Sequence, residues 1–164
     1  MTVSSTDNIN EGNINFDVVI VGAGPAGLST AIRLMQISAN SGNSLKVAVI
    51  EKGAEVGSHI LSGAILDPIA LTELIPDWAL RGAPVTTKVS REKFILLTQR
   101  DPFFWPQWML PKEMKHQGCY IVKLGELCKW LAKEAEDLGV DIITGFTASS
   151  YKTNSNGAVT GITT

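Results

Sequence analysis

Three glycines and one acid carry the clearest chemistry in the sequence. Gly22, Gly24 and Gly27 stand in the run Gly22-Ala23-Gly24-Pro25-Ala26-Gly27, and Glu51 follows Gly27 by 24 positions. Gly22 allows a sharp turn off a strand. Gly24, with no Cβ, lets the backbone approach a pyrophosphate to contact distance, and Gly27 lets a helix pack close on the strand. The unpaired N–H groups and positive end of that helix face the phosphates. Pro25 lacks an N–H, which costs little in a first turn whose donors are unpaired in any case. A carboxylate such as Glu51 can accept hydrogen bonds from both hydroxyls of an adenosine ribose, and no arginine follows it to receive a 2′-phosphate. This set of residues is suited to holding a dinucleotide.

The elements needed to position these residues are legible around them. Val18 to Val21 is a short β-branched run that reads as a buried parallel strand, and Leu28, Ala31, Ile32 and Met35 recur behind the glycines at helical spacing. Val47 to Ile50 is a second buried run ending in Glu51. The order is strand, glycine turn, helix, strand, acid: a Rossmann-like βαβ unit. At this level FAD and NAD both remain open. The stretch from Glu51 to Ala64, rich in small and polar residues and containing Lys52, Ser62 and Gly63, favours FAD. Such a loop leaves room for a long cofactor, and its N–H groups can bond a ribityl-phosphate chain.

The chain has 164 residues, 45% apolar and 18% charged, with a net charge of −2. That composition is globular and gives no electrostatic reason to expect nucleic acid. Cys119 and Cys128 form no CxxC motif and have no histidine cluster beside them, which fits a reduced cytosolic setting. Residues 1–13 are polar and read as a flexible tail, neither a secretory signal nor a mitochondrial presequence. No window holds 18 uninterrupted apolar residues.

Further along, Asp67 to Trp78 reads as a short helix with Pro68 in its first turn and Pro76 at its end. Lys93 to Thr98 reads as a strand. Asp101 to Pro111 has three prolines and is expected to be an irregular loop, yet it carries Phe103, Phe104, Trp105 and Trp108. That apolar surface requires a cover: either another domain or a membrane interface, where tryptophan is favoured. Gly125 to Leu138 is an amphipathic helix, Gly139 supplies its left-handed end, and Val140 to Ile143 is the next strand. Residues 147–153 and 158–164 read as a hairpin across Asn156-Gly157. The second strand is left without a partner, so the chain is expected to be truncated at its C-terminus. His59 has no carboxylate or nucleophile in a recognisable arrangement with it, and a structural role is expected. No catalytic residue and no metal ligand is assigned.

Together, DVVIVGAGPAGLSTAIRL, EKGAEVGSHILSGAILDP, LIPDWALRGAP and YIVKLGELCKWLAKEAEDLGV with the NGAVTGITT hairpin resemble the N-terminal part of the electron transfer flavoprotein–ubiquinone oxidoreductases, over about residues 15 to 164. The resemblance implies an α/β, FAD-binding domain of the glutathione-reductase/PHBH superfamily, residues 14–164 being its first part, with about 65–120 an inserted β/loop segment on the quinone and membrane side. It implies FAD, a [4Fe-4S] cluster with ligands outside this chain, and electron transfer flavoprotein and ubiquinone as partners. It further implies a peripheral, monotopic position on the cytoplasmic face of a bacterial inner membrane. The cofactor-binding residues it implies are Gly22, Ala23, Gly24, Pro25, Ala26, Gly27, Glu51, Lys52, Ser62, Gly63, Lys123, Thr147 and Ala148. At Lys123 the family pattern leads one to expect arginine; a lysine keeps the phosphate attraction and loses a bidentate contact. The alternatives are a FixC-like or geranylgeranyl-reductase-like flavoprotein and, in another class, an inactive nucleotide-binding module.

Overall fold

In a computed structural model of the chain, residues 14–61 and 63–164 are described. The expected tail of residues 1–13 and Ser62, expected among the cofactor-binding residues, lie outside them. The expected βαβ unit is β1 (Val18–Val21), α1 (Pro25–Ser41) and β2 (Val47–Glu51). β1 and β2 pair in parallel, Val18 opposite Val47 through Val21 opposite Ile50. β2 also pairs in parallel with β8 (Asp141–Thr144), giving the order β1-β2-β8. The central strand is the most apolar: Val47 to Ile50 are all buried, as a strand covered on both faces must be.

α1 and α3 (Leu124–Asp137) pack on this sheet. The buried stripe of α1 is Leu28, Ala31 and Ile32; that of α3 is Leu127, Cys128, Leu131, Ala132 and Ala135. These residues join Val47, Val49 and Val140 in one core. α1 ends in Gly42 at φ +70, and Gly139 after α3 has φ +90, both left-handed turns that favour glycine.

Between β2 and α3 lie the elements of the proposed inserted segment. β3 (Ala64–Leu66), β7 (Tyr120–Val122) and β4 (Thr87–Lys88) form an antiparallel sheet in the order β3-β7-β4. α2 (Ile69–Leu74) is shorter than the helix expected over 67–78. Pro68 flanks it rather than opening its first turn, and Ile75, at φ −136, leaves the helix ahead of Pro76, as a residue preceding proline tends to. The turn that follows is tied to α3: Arg81 pairs with Asp77 and with the buried carboxylate of Glu134, and Trp130 Nε1 donates to the Arg81 carbonyl.

Residues 101–111 depart from the irregular loop that was expected. β5 (Phe94–Leu97) and β6 (Pro102–Trp105) form a two-stranded antiparallel hairpin, Phe94 opposite Trp105 through Leu97 opposite Pro102. Pro102 opens β6 and Pro106 lies just past its end, so neither has to donate inside the ladder. Two single 3-10 turns follow, Gln107–Met109 and Lys112–Met114. β9 (Ser150–Thr153) and β10 (Val159–Thr163) form the expected hairpin, with Gly157 at φ +79 and Asn154 Oδ1 accepting from the N–H groups of Asn156 and Ala158.

Candidate functional site

Because β1, β2 and β8 are parallel, their carboxyl ends share one edge, and the segments that leave them meet there. In open α/β sheets this is the edge at which ligands bind. After β1 comes the glycine turn, fastened to β2 by the Gly22 N–H donating to the Ile50 carbonyl at 2.7 Å. Gly22 has φ +101, a conformation strained for any side chain. Gly24 flanks α1 with extended backbone, and a Cβ built on it would meet nothing within 4 Å. At Gly27 a Cβ would lie 2.1 Å from the Gly22 carbonyl oxygen and 3.2 Å from Ile20 Cγ2, so helix and strand touch there. No side chain caps α1, and its first helical bond is the Leu28 N–H to the Gly24 carbonyl at 3.0 Å. The N–H groups of Ala26 and Gly27 therefore point out of the helix end without an intrahelical acceptor. Open space above Gly24 and outward N–H groups beside it form a cradle that fits a pyrophosphate.

Glu51 closes this cradle from the β2 side. Its Oε2 accepts from the Ala23 N–H at 2.9 Å and its Oε1 from the Gly53 N–H at 2.8 Å. The Gly53 bond, the Ala23 bond and the nearby charges of His59 and Lys52 hold the carboxyl below the usual carboxylate range, against the opposing effect of partial burial. The acid thus ties the glycine turn to the strand that follows it. Each carboxylate oxygen retains a second lone pair for a ligand hydroxyl.

The segment after β8 is bonded to the same place. Gly145 N–H donates to the Gly53 carbonyl at 2.8 Å and Phe146 N–H to the Glu51 carbonyl at 3.1 Å. Exposed Thr147 and half-buried Ala148 follow directly. Gly22 to Gly27, Glu51, Lys52, Thr147 and Ala148 are therefore gathered at one edge.

Gly63 and Lys123 form a neighbouring group. β3 and β7 pair with Ala64 opposite Val122, which places Gly63 and Lys123 at the same end of that ladder. Lys123 is exposed and immediately precedes α3. Among the described residues no hydrogen bond or ion pair joins it to the glycine turn. What links the two groups is a contact that the sequence reading did not anticipate. Gly57, at φ +83, abuts Gly125 at the start of α3 so closely that a Cβ on Gly57 would be 2.6 Å from the Gly125 oxygen. Lys129 and Glu55, 3.5 Å apart, pair across the same contact. The one available signal was a glycine in the first turn of a helix, where it lowers helix propensity without an evident local reason.

His59 is exposed and joins no catalytic arrangement. Among the described residues no group of three metal-ligating side chains occurs. Cys128 is buried and its thiol is pushed up to about 11, by burial first and by the charge of Glu51 second. These residues do not fit a [4Fe-4S] cluster.

Residues 17–83 match the family model for FAD dependent oxidoreductases. Over 149 residues, 91% of this chain, the sequence is 54% identical to the mitochondrial electron transfer flavoprotein-ubiquinone oxidoreductase of Dictyostelium discoideum. The chain is homologous to part of electron transfer flavoprotein-ubiquinone oxidoreductase. A protein of that name from Pseudomonas aeruginosa is 51% identical over 92% of this chain, and the mitochondrial one of Mus musculus 48% over 90%. The chain spans about a quarter of the length of these relatives, 24%, 28% and 24% respectively. Among solved structures, a geranylgeranyl bacteriochlorophyll reductase-like protein from Thermoplasma acidophilum superposes with a TM-score of 0.63 at 21% identity, covering 90% of this chain and 34% of that one. 2-Methyl-3-hydroxypyridine-5-carboxylic acid oxygenase does so at 0.56 and 22%, covering 88% and 37%. At such identities the superpositions establish the fold, the α/β fold of FAD-binding, PHBH-like oxidoreductases, and the family match supports FAD as the dinucleotide.

Proposed function

We propose that this chain forms the FAD-holding part of an oxidoreductase that accepts electrons from reduced electron transfer flavoprotein and passes them to ubiquinone. The observation that carries this reading is the 44–54% identity, over about nine-tenths of the chain, to proteins named for that reaction. The geometry supports the FAD half independently. The Ala26 and Gly27 N–H groups would take the pyrophosphate in the open space over Gly24, and the free lone pairs of Glu51 would take the ribose hydroxyls. Gly22, Ala23 and Pro25 shape the turn; Lys52, Ser62, Gly63, Lys123, Thr147 and Ala148 complete the proposed cofactor contacts. Bound FAD supplies the redox chemistry, taking up and releasing electrons, while the protein sets its position and potential. No side chain is needed as acid or base, and none is assigned. The [4Fe-4S] cluster of the resemblance takes no ligand from the described residues.

Ubiquinone is a membrane lipid, so the same reading requires a membrane contact, which we place in residues 94–110 of the segment 65–120. Among the described residues no helix is long and apolar enough to cross a membrane. The β5–β6 hairpin instead exposes apolar side chains at every ladder position, with Leu97 81% and Trp108 beyond it 80% exposed. Burying two or three of its rings is worth several kcal/mol, at about 25 cal/mol per Å², enough for reversible, monotopic attachment. The proposed setting is the cytoplasmic face of a bacterial inner membrane.

The test is an anaerobic assay of the full-length protein with reduced electron transfer flavoprotein and a short-chain ubiquinone. Flavin reduction followed by quinol formation is expected. A flavin that is reduced only by a nicotinamide nucleotide contradicts the reading. Trp105→Ser with Trp108→Ser is expected to weaken vesicle binding and leave the fold intact; unaltered binding removes the hairpin as anchor.

A further inference from the structure

Charge is distributed unevenly about the hairpin. Between residues 88 and 116 there are six cations (Lys88, Arg91, Lys93, Arg100, Lys112 and Lys115) against three acids, Glu92, Asp101 and Glu113, a net of +3. The whole chain is −2, so the remainder, eight basic against thirteen acidic residues, is −5. One of the three acids, Glu92, has its carboxylate engaged internally. Glu92 Oε2 accepts from the backbone N–H of His116 and lies 3.0 Å from its ring Nδ1. The Asp101 backbone is held in the turn, its carbonyl accepting from Thr98 Oγ1 at 2.6 Å and its N–H donating to the same oxygen at 3.1 Å. Among the described residues none of the six cations is in an ion pair.

The placement of the cations along the hairpin is informative. Arg91 and Lys93 stand at its base, on the rim of a groove of about 420 Å³ that Phe94, Phe104 and Trp105 also line. That base is fixed to the end of β6 by Gln107 Nε2, which donates to the Glu92 carbonyl. Arg100 is in the turn at the other end. Four residue pairs separate the two ends, about 13 Å at the usual rise of a strand. The apolar ladder is thus bracketed by cations at both ends. A hairpin that entered a bilayer tip first would carry Arg100 and Asp101 into hydrocarbon, which is costly. One lying flat would seat its rings at the headgroup boundary and both cationic ends on phosphates.

We propose that the β5–β6 hairpin lies flat in the headgroup layer of an anionic phospholipid membrane, with Arg91 and Lys93 at its base and Arg100 at its tip on lipid phosphates. This rests on the membrane contact proposed above and adds the lipid class and the orientation. An acidic protein surface would match the charge, but would offer no apolar layer for the exposed rings of the ladder.

The experiment is vesicle co-sedimentation of the full-length protein, with vesicles of phosphatidylcholine alone and mixed with phosphatidylglycerol, at low salt and at about 0.5 M salt, where screening acts within about 4 Å. Binding to the mixed vesicles is expected to be the tighter and to fall with salt, while binding to phosphatidylcholine alone is weak and insensitive to salt. Each basic residue near the surface contributes about fivefold. Arg91→Gln, Lys93→Gln and Arg100→Gln together are therefore expected to weaken binding to mixed vesicles about a hundredfold and leave binding to phosphatidylcholine unchanged. Arg100→Gln alone separates the orientations: flat docking predicts about fivefold weaker binding, and stronger binding would overturn it. Equal binding to both vesicle types, with the triple variant like wild type, overturns the anionic preference and leaves the membrane contact standing. No binding to either vesicle overturns both. Thermal melts of each variant confirm that the fold is retained.

Discussion

Adding one methyl group at Gly24 or at Gly27 should have opposite consequences, although the two positions are three residues apart. At Gly27 the added Cβ would sit 2.1 Å from the Gly22 carbonyl oxygen, where ordinary contact begins near 3.4 Å. The obstacle is backbone, so α1 must retreat from β1 by roughly 1 Å, loosening Leu28, Ala31 and Ile32 in the core. Overpacking of this kind costs about 1–3 kcal/mol, whereas helix propensity alone would make alanine the better residue by about 1 kcal/mol. A fall in stability at Gly27→Ala is therefore a signature of the close contact. At Gly24 the backbone (φ −81, ψ 179) suits any residue, and a Cβ meets nothing within 4 Å. The slightly poorer cap and the stiffer unfolded chain offset one another, leaving apoprotein stability within about 0.5 kcal/mol. Cofactor binding should suffer instead, because the space is needed by the pyrophosphate. Two N–H contacts to a charged phosphate, at about 1.5–3 kcal/mol each, amount to more than a hundredfold in Kd. Urea denaturation of apoprotein and fluorescence titration with FAD measure the two effects separately. Wild-type FAD affinity in Gly24→Ala, or a Gly24→Ala apoprotein as destabilised as Gly27→Ala, would refute the assignment of space and contact.

Glu51→Gln should weaken FAD binding by about 1.5–3 kcal/mol if its ribose bonds are charge-assisted. It should also change acid stability: the folded carboxyl titrates below its unfolded value of 4.5, so its contribution is full above that pH and fades as pH falls through the folded value. Wild type should therefore lose stability faster than Glu51→Gln below pH 4.5 in melts of apoprotein, and parallel profiles would contradict the two backbone bonds. At pH 8 Cys119, partly accessible, should react with an alkylating reagent while Cys128, at about 11 and buried, should not until the chain unfolds; mass spectrometry of the modified peptides reads this. Gly57→Ala should destabilise by more than about 1 kcal/mol, through its left-handed backbone alone and further through the Gly125 contact; an unchanged urea midpoint would show that the loop yields freely.

What the sequence disclosed here was local. β-Branched runs, helical spacing and glycines at fixed offsets place β1, β2 and α3 within a residue or two, the start of α1 behind the glycines, and the last hairpin with its first strand starting three residues later than expected, because each pattern is satisfied by neighbours along the chain. Two features required distant partners. The Gly57–Gly125 contact depends on how the loop after β2 meets a helix 68 positions later, and neither glycine announces its partner. The β5–β6 hairpin was obscured by its prolines, which are ordinarily a mark against strands; they stand at the ends of the ladder, and the polar turn Thr98 to Asp101 between two apolar runs was the better guide. Glu51 was read as a ligand group. Its two backbone bonds show that it also holds the turn together, a role that no spacing rule reveals because it depends on where both carboxylate oxygens point.

The central claim is that this edge of the sheet grips the adenosine and pyrophosphate of FAD. Titrating apoprotein with FAD and with FMN, which has the same flavin but lacks the adenosine half, tests it most directly. Removing the ribose bonds of Glu51 and the pyrophosphate bonds of the glycine turn predicts at least a hundredfold weaker binding of FMN, and Gly24→Val should narrow that gap. Equal affinity of the wild-type protein for FAD and FMN would contradict the account.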